Sequence, residues 1–198
     1  MVALGAFTGC KDYLTEEPIM SQSDKLTLST YKGLDQATAG AYAPLASTSW
    51  YGADFILINE LKTAHGKKYI GSQFDKGRLN DWYNPNYSKT ATSAVWGAAY
   101  YVISSANNVL ANLEGKGEVA DLNNLKAECL FLRAFSHFDA VRTYAQPYCF
   151  TADASHPGVP VIIEPQDPSD MPARNTVAQV YQQIITDLLD AESLIAPD

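Results

Sequence analysis

The 198-residue chain is poor in the residue types that most often carry catalysis or bind metals. It has 3 histidines (His65, His137 and His156) and 3 cysteines, and none of them has a partner at the spacing of a zinc site. A glycine-rich phosphate loop is also missing, and no two acidic residues stand out as a glycosidase pair. We therefore expect no catalytic residue, no metal site and no cofactor.

Basic residues are scarce as well, with 14 Lys and Arg against 22 Asp and Glu and a net charge of −8. Such a balance argues against nucleic acid as a partner. No stretch contains the roughly 18 consecutive apolar residues that predict a transmembrane helix. The chain instead has 46% hydrophobic residues, with 12 Tyr, 7 Phe and 3 Trp. This composition predicts one globular domain whose aromatic rings build the core and could also hold a ring-shaped ligand.

Hydrophobic periodicity predicts a mainly all-α fold of five helices joined by irregular loops. The expected helices span about 29–45, 54–64, 95–113, 122–144 and 176–195. Ser29 or Thr30, Asp121, and Thr176 with Gln179 are the predicted amino-terminal caps. The third and fourth helices should form an antiparallel hairpin because the turn between them is short. Residues 159–163 are strand-like and allow one arm of a small β-hairpin.

The fourth predicted helix contains the most apolar stretch of the chain, AECLFLRAFSHF at residues 127–138. Apolar residues point in nearly every direction of this helix, which predicts burial on all sides. Arg133 then needs a carboxylate or carbonyl partner and should have a structural role. His137 is interpreted as a satisfied core or interface residue. Asn107 and Asn108 on the preceding helix are expected to form hydrogen bonds across the hairpin.

The three cysteines have different contexts. Residues 1–10, MVALGAFTGC, are similar to the end of a lipoprotein signal that lacks its beginning, with Cys10 as the lipidated residue. A chance Gly-Cys pair is the alternative. Residues 11–28 contain Pro18 and are predicted to be an extended tether. Cys129 is interpreted as a small apolar filler of the buried helix, and Cys149 lies in a loop.

A long loop at residues 65–89 is the predicted ligand site. Glycine and proline interrupt any periodicity there, but the loop is too rich in aromatic residues to indicate disorder. Aromatic faces and hydrogen-bonding groups together suit a sugar. The candidate ligand-binding residues of the loop are Tyr69, Arg78, Asn80, Asp81, Trp82, Tyr83 and Tyr87. Trp50 and Tyr51 form a second aromatic pair that could join them. Alternatively, Trp82 and Tyr83 pack the loop onto the helices.

Several motifs in order resemble a known family. They are CKDYL at 10–14, ATAGAYAPL at 37–45, WGAAYYVISSANNVLANL at 96–113, AECLFLRAFSHFDAVRTYAQP at 127–147 and GVPVIIEP at 158–165. Together they resemble the amino-terminal part of SusD/RagB-type outer-membrane nutrient-binding lipoproteins of Bacteroidetes. The resemblance implies stacked helix hairpins of tetratricopeptide type. It also implies that residues 29–198 form an amino-terminal helical-repeat domain and that the carboxy-terminal half is missing.

The resemblance carries a functional expectation too. It implies a non-enzymatic, cell-surface protein of the outer membrane, anchored in the membrane by a lipid at Cys10. Such a protein binds an oligosaccharide ligand and delivers it to a TonB-dependent outer-membrane transporter. The alternative is a helical-repeat scaffold or lid that binds a protein partner or a nutrient other than a sugar.

Overall fold

A computed structural model describes residues 24–61, 94–167 and 169–195 of the chain. Six α-helices lie in these ranges: α1 (Asp24–Thr27), α2 (Tyr31–Tyr42), α3 (Asp54–Leu61), α4 (Ala94–Leu110), α5 (Val119–Tyr144) and α6 (Val177–Leu194). Short 3₁₀ helices follow α2 at Ala43–Ala46 and α5 at Tyr148–Phe150. None of the helices in these ranges is long and apolar enough to cross a bilayer.

The helix boundaries mostly follow local sequence signals. The Thr30 hydroxyl accepts a hydrogen bond from the Gly33 amide at 3.2 Å, and Thr176 and Gln179 form the predicted capping box. The prediction that Asp121 caps the hairpin's second helix is wrong, because α5 begins at Val119 and Glu118 occupies the cap position. Asp121 lies in the first turn instead, where its negative charge still interacts favourably with the helix dipole.

Helices α4, α5 and α6 pack as an antiparallel stack, and α5 is its middle member. Along the α4–α5 interface, Trp96 contacts Tyr144 while Asn107 contacts Arg133, so the partner number falls as the residue number rises. The α5–α6 interface shows the same order, since Arg133 bonds to Asp187 while Phe138 contacts Tyr181. The predicted hairpin and the mainly all-α class of stacked helices are confirmed.

The apolar core fills the space between these helices. Its main cluster joins residues of α4, α5 and α6 with Trp50 from the turn before α3. A second cluster seats α2 through Leu34 on the end of the hairpin, at Val109 and Leu125. Each cluster brings together residues that are far apart in the chain, and burial of their apolar surface stabilises the fold.

One turn of helix replaces part of the predicted tether. Residues 24–27 form α1, whereas the segment 11–28 was expected to be extended throughout. The Leu28 carbonyl accepts a hydrogen bond of 2.6 Å from Lys116 Nζ, and Leu28 packs on the second cluster. This docking onto the α4–α5 turn gives α1 tertiary contacts that its sequence alone does not reveal. Residues 11–23 lie outside the described ranges.

The strand-like segment 159–163 does not form an arm of a hairpin. Within the described part of the chain, β pairing is limited to an isolated antiparallel bridge between Pro157 and Thr176. Side chains bond to the backbone of this segment: Asn107 donates to the Ile162 carbonyl and Arg133 donates to the Ile163 carbonyl. These bonds take the place of a partner strand.

Helix α5 is also less enclosed than its composition predicts. Phe131 is 44% exposed, although the stretch around it was expected to be buried on every side. The reason is that α4 and α6 cover two sides of α5 and leave the side carrying Phe131 partly open.

Candidate ligand-binding site

Only part of the predicted site falls within the structure's described ranges. Trp50 and Tyr51 lie there, in the turn between the 3₁₀ helix and α3. The loop residues Tyr69, Arg78, Asn80, Asp81, Trp82, Tyr83 and Tyr87 lie outside the described residues, as does Cys10. Their predicted roles in ligand binding and lipidation stay predictions.

Trp50 and Tyr51 converge on one buried carboxylate of α5. The Trp50 indole donates a hydrogen bond of 2.8 Å to Asp139 Oδ2, and the Tyr51 hydroxyl donates to the same oxygen at 2.8 Å. The turn is fixed by its own backbone bonds, including Trp50 N to the Ser47 carbonyl at 3.0 Å. We call Asp139, Trp50 and Tyr51 the Asp139 triad. It fixes the orientation of both aromatic rings.

Burial and hydrogen bonding shift the pKa values of two members of the triad, Asp139 and Tyr51. Burial raises the pKa of Asp139, while the hydrogen bonds from Tyr51 and Trp50 act in the opposite direction. Burial, followed by the bond to Asp139, raises the pKa of Tyr51 above its ordinary value. Tyr51 therefore stays a neutral hydrogen-bond donor at physiological pH.

The two members of the aromatic pair differ in what they can offer a ligand. Trp50 is fully buried, so neither face of its indole is available for stacking, and its structure does not support the predicted role in ligand binding. Tyr51 is 37% exposed and retains a surface that a ligand could contact. Of the described candidates, only Tyr51 can still belong to such a site.

Tyr51 is one end of a line of aromatic rings along α5. Its ring centroid lies 5.6 Å from that of Phe135, which lies 5.8 Å from that of Phe131. We call Tyr51, Phe135 and Phe131 the aromatic row. Exposed aromatic carbon of this kind can stack against the C–H face of a sugar ring. Sequence reasoning assigned Phe131 and Phe135 to the core, although their four-residue spacing places them on one side of the helix.

An open groove of about 1150 Å³ begins beside Phe131, between α5 and α6. We call it the α5–α6 groove. Its lining is largely apolar and includes Tyr42, Ala127, Phe131, Leu188, Leu189 and Ile195. Leu189 and Ile195 are each 59% exposed, so the groove presents apolar side chains at the surface.

Arg133 is the centre of a buried polar cluster behind the α4–α5 interface. Its guanidinium makes two bonds to the Asp187 carboxylate, at 2.8 and 2.6 Å, and donates to Asn107 Oδ1 at 2.9 Å. A further bond of 2.9 Å reaches the Ile163 carbonyl. We call Arg133, Asp187 and Asn107 the Arg133 cluster. The structural roles predicted for Arg133 and Asn107 are confirmed.

His137 is buried next to this cluster and is fully engaged. Its Nδ1 lies 3.0 Å from the Arg133 carbonyl, and its Nε2 lies 3.2 Å from the Ile162 amide. Since a carbonyl can only accept and an amide can only donate, Nδ1 carries the proton and the ring is neutral. Burial lowers the pKa of His137 to about 4. The prediction of a satisfied core histidine is confirmed.

Cys129 behaves as the expected apolar filler. Its side chain is fully buried, with the sulfur 3.6 Å from the Thr38 hydroxyl. Burial raises the pKa of this thiol to about 11, so it is not a reactive thiolate at neutral pH. Cys149 is exposed and unpaired with Cys129.

Comparison with known proteins agrees with these motifs and this architecture. The sequence profile of a family described as SusD-like, "starch-binding associating with outer membrane", matches residues 12–198. The chain belongs to the SusD-like family. The SusD-like protein P2 of Formosa agariphila is 28% identical over 207 residues, which cover 100% of this chain and 37% of that protein.

Solved SusD-like structures show the same fold. A SusD superfamily protein from Bacteroides thetaiotaomicron aligns with a TM-score of 0.72 and 26% identity, over 84% of this chain and 38% of that protein. Another from Bacteroides vulgatus aligns with a TM-score of 0.71 and 28% identity, over 85% of this chain and 38% of that protein. The chain thus spans less than half the length of these SusD-like relatives.

Proposed function

We propose that this SusD-like chain is the amino-terminal helical-repeat part, residues 29–198, of a cell-surface glycan-binding protein. The observation that supports this proposal most directly is the aromatic row, in which the Asp139 triad holds a partly exposed Tyr51 ring in a fixed orientation. Rigid rings lose little conformational freedom on binding, which favours affinity for a ligand that stacks on them. The family description, starch-binding and associated with the outer membrane, is consistent with this role.

The ligand site we propose combines Tyr51 with the loop of residues 65–89. The loop supplies further rings, Trp82 and Tyr83 among them, and the polar groups that sugar hydroxyls need, such as Asn80 and Asp81. Tyr51 and the loop can belong to one site because they flank the same helix. Tyr51 lies in the turn before α3, and the loop follows that helix in the sequence. Neither set contains a paired acid and base, so we propose binding without catalysis.

We further propose that a lipid at Cys10 anchors the protein at the outer membrane, with residues 11–23 as a tether. There it would pass oligosaccharides to a TonB-dependent transporter. The support for this step is the resemblance of CKDYL at 10–14 to the start of such lipoproteins, together with the family's association with the outer membrane.

A second candidate function is a scaffold or lid whose main surface binds a protein or a nutrient other than a sugar. The α5–α6 groove favours it, because it is large and lined mainly by apolar side chains that a protein partner could bury.

Affinity electrophoresis in native gels that contain soluble starch or other neutral polysaccharides tests the first candidate. We expect the protein to be retarded relative to a gel without polysaccharide, and we expect Tyr51→Ala to reduce the retardation. Trp82→Ala tests the loop separately, because retained binding in this variant would remove Trp82 from the site.

Phe150→Ala is a matched control for the loss of an exposed ring, since Phe150 is 61% exposed and lies outside the aromatic row. Absence of retardation with every polysaccharide would count against glycan binding. If the protein then also captured a transporter from solubilised outer membranes, the scaffold function would be favoured.

A further inference from the structure

A second cleft, distinct from the aromatic row and from the α5–α6 groove, lies between α4 and the segment 160–172. Its volume is about 360 Å³. This is within the range of roughly 300–1,000 Å³ that is usual for small-ligand pockets. We call it the α4 cleft. Its lining residues include Trp96, Tyr100, Ser104, Glu164, Gln166 and Asp170, none of which belongs to the site discussed above.

Two aromatic rings form the α4 side of the cleft and are held in place by several contacts. The Trp96 ring lies 4.7 Å from the Tyr100 ring between centroids, and it meets the Tyr144 ring edge-on at 5.0 Å. The Tyr100 hydroxyl donates a hydrogen bond of 2.7 Å to the Pro160 carbonyl and so ties the two walls together. Trp96 and Tyr100 are both half-buried, so part of each ring faces solvent or the cleft.

The opposite wall is anchored from behind by the Arg133 cluster. Asn107 Nδ2 donates to the carbonyls of Ile162 and Glu164, at 3.1 and 3.2 Å. Farther along, the amide of Asp167 donates to Asp170 Oδ2 at 2.8 Å and orients that carboxylate. Ile162, Glu164 and Asp170 are therefore held at defined positions, and a ligand would not have to order them.

The charged residues among the described lining of the cleft are all acidic. Glu164 and Asp170 line it, whereas none of its described lining residues is a lysine, arginine or histidine. Carboxylate and amide oxygens accept hydrogen bonds from hydroxyl groups, but they repel another carboxylate or a sulfate. The cleft thus combines apolar ring surface with hydrogen-bond acceptors, and its two carboxylates disfavour anions. Arg174 acts electrostatically on Tyr100, but its guanidinium is bonded to the carbonyls of Gly158 and Pro157 and does not line the cleft.

We propose that the α4 cleft is a second saccharide-binding site, selective for neutral sugars over uronic or sulfated ones. This inference rests on the proposed glycan-binding function and deepens it by adding a second point of contact and a charge preference. The C–H face of a sugar ring stacks on Trp96 and Tyr100, while its hydroxyls donate to Glu164, Gln166 and Asp170.

Fluorine NMR of protein labelled with 5-fluorotryptophan tests the proposal at the site itself. The 3 tryptophans, Trp50, Trp82 and Trp96, give separate probes, and each resonance is assigned by a Trp→Phe substitution. On titration with a neutral maltooligosaccharide we expect the Trp96 resonance to shift, and on titration with an oligogalacturonate of equal length we expect it not to shift. The Trp50 ring lies 6.0 Å from the Tyr51 ring between centroids, so its resonance reports on binding at the aromatic row rather than in the cleft.

Charge variants complete the test without touching the core. In Glu164→Gln with Asp170→Asn, both acceptors remain but both charges are lost, so we expect the oligogalacturonate to gain at least about tenfold in affinity at Trp96. Asp153→Asn with Glu114→Gln, which neutralises two exposed carboxylates elsewhere, is the matched control and should change nothing. These variants keep the test decisive even if Trp96→Phe does not fold.

The outcomes separate this inference from the proposed function. If the maltooligosaccharide binds and shifts Trp82 but not Trp96, the α4 cleft is not a saccharide site, and glycan binding stands. Equal affinities of both sugars in the wild type and the charge variant would overturn the selectivity. If no saccharide binds in the gels and no resonance shifts, the proposed function and this inference both fail.

Discussion

The Arg133 cluster and the Asp139 triad are both buried polar centres on α5, but different interactions offset the free-energy cost of burying their charged groups. Arg133 is paired with an opposite charge, Asp187, and its remaining donors bond to Asn107 and a backbone carbonyl. Asp139 receives hydrogen bonds from two neutral aromatic side chains, Trp50 and Tyr51. The first arrangement is almost entirely shielded from solvent, with Arg133 7% and Asp187 1% exposed. The second reaches the surface through Tyr51.

Because of this difference, the two centres have different structural roles. The Arg133 cluster connects α4, α5, α6 and the segment 160–172, so it fixes the relative positions of the elements that form the α4 cleft. The Asp139 triad connects α5 to a single turn and orients the rings that this turn carries. We therefore expect changes in the cluster to act on the whole fold and changes in the triad to act locally.

The largest effect is expected from breaking the ion pair. Arg133→Met leaves the Asp187 carboxylate buried without its counter-charge, and we expect the free energy of unfolding to fall by about 3–5 kcal/mol. Urea denaturation followed by circular dichroism measures this change. Asp190→Asn removes an exposed carboxylate from α6, the helix that carries Asp187, and is the control. Adding Asp187→Leu to Arg133→Met should recover much of the loss, and a further decrease would contradict the stated cause.

The next effect concerns pH and the histidine beside the cluster. Because the pKa of His137 is about 4 in the folded protein against 6.5 ordinarily, the unfolded chain takes up this proton first as pH falls. Its contribution to stability is complete above pH 6.5 and is lost progressively down to about pH 4. The expected loss is on the order of 3 kcal/mol.

Urea denaturation at several pH values between 7 and 4 measures this dependence, and His137→Gln is the comparison because it cannot titrate. Since carboxylates also titrate in the lower part of this range, the difference between the two proteins isolates His137. Parallel stability curves for the wild type and the variant would show that this histidine is not responsible.

A smaller effect is expected when the triad loses its acceptor. Asp139→Ala leaves the buried Trp50 indole N–H without a partner, which should cost about 1–3 kcal/mol. Asp139→Asn keeps an acceptor oxygen and should cost less. Urea denaturation gives the two values, and 5-fluorotryptophan NMR should show a change at Trp50 in the alanine variant. Equal losses in both variants would mean that the hydrogen bonds contribute little.

The smallest effect is expected from Tyr51→Phe, which removes one hydroxyl and keeps the ring. The loss of one hydrogen bond at a partly exposed position should lower the free energy of unfolding by about 0.5–1.5 kcal/mol. If the row binds sugar through its ring surface, affinity electrophoresis should show nearly unchanged retardation, in contrast to Tyr51→Ala. A phenylalanine variant as impaired as the alanine variant would indicate that the hydroxyl itself orients the ring or contacts the ligand.

Much of the fold could be predicted because its signals are local. Helical periodicity, the Thr176–Gln179 capping box and the short turn between α4 and α5 all depend on residues close in sequence. The roles of Arg133 and His137 followed from a general rule as well, since a polar group on a buried helix must be satisfied. That rule requires partners for these side chains but does not name them.

The candidate site could be predicted only in part because its contacts are distant in sequence. Trp50 and Asp139 are separated by 89 positions, and nothing near either residue indicates the other. The sequence alone therefore allows Trp50 to join the ligand site, whereas in the structure it is a buried anchor. The exposure of Phe131 also depends on which side of α5 its neighbours leave open.

The sequence by itself determined the main helices, their hairpin order and the membership in the SusD-like family. Periodicity, caps and ordered motifs can be read from residues that are close in sequence. Only the tertiary structure decided which rings are anchors and which reach the surface, and that Trp96, Tyr100, Glu164 and Asp170 line one cleft. The physical reason is that exposure and convergence are properties of packing. Each depends on which helices and loops lie against a side chain, and these contacts join residues that the sequence keeps far apart.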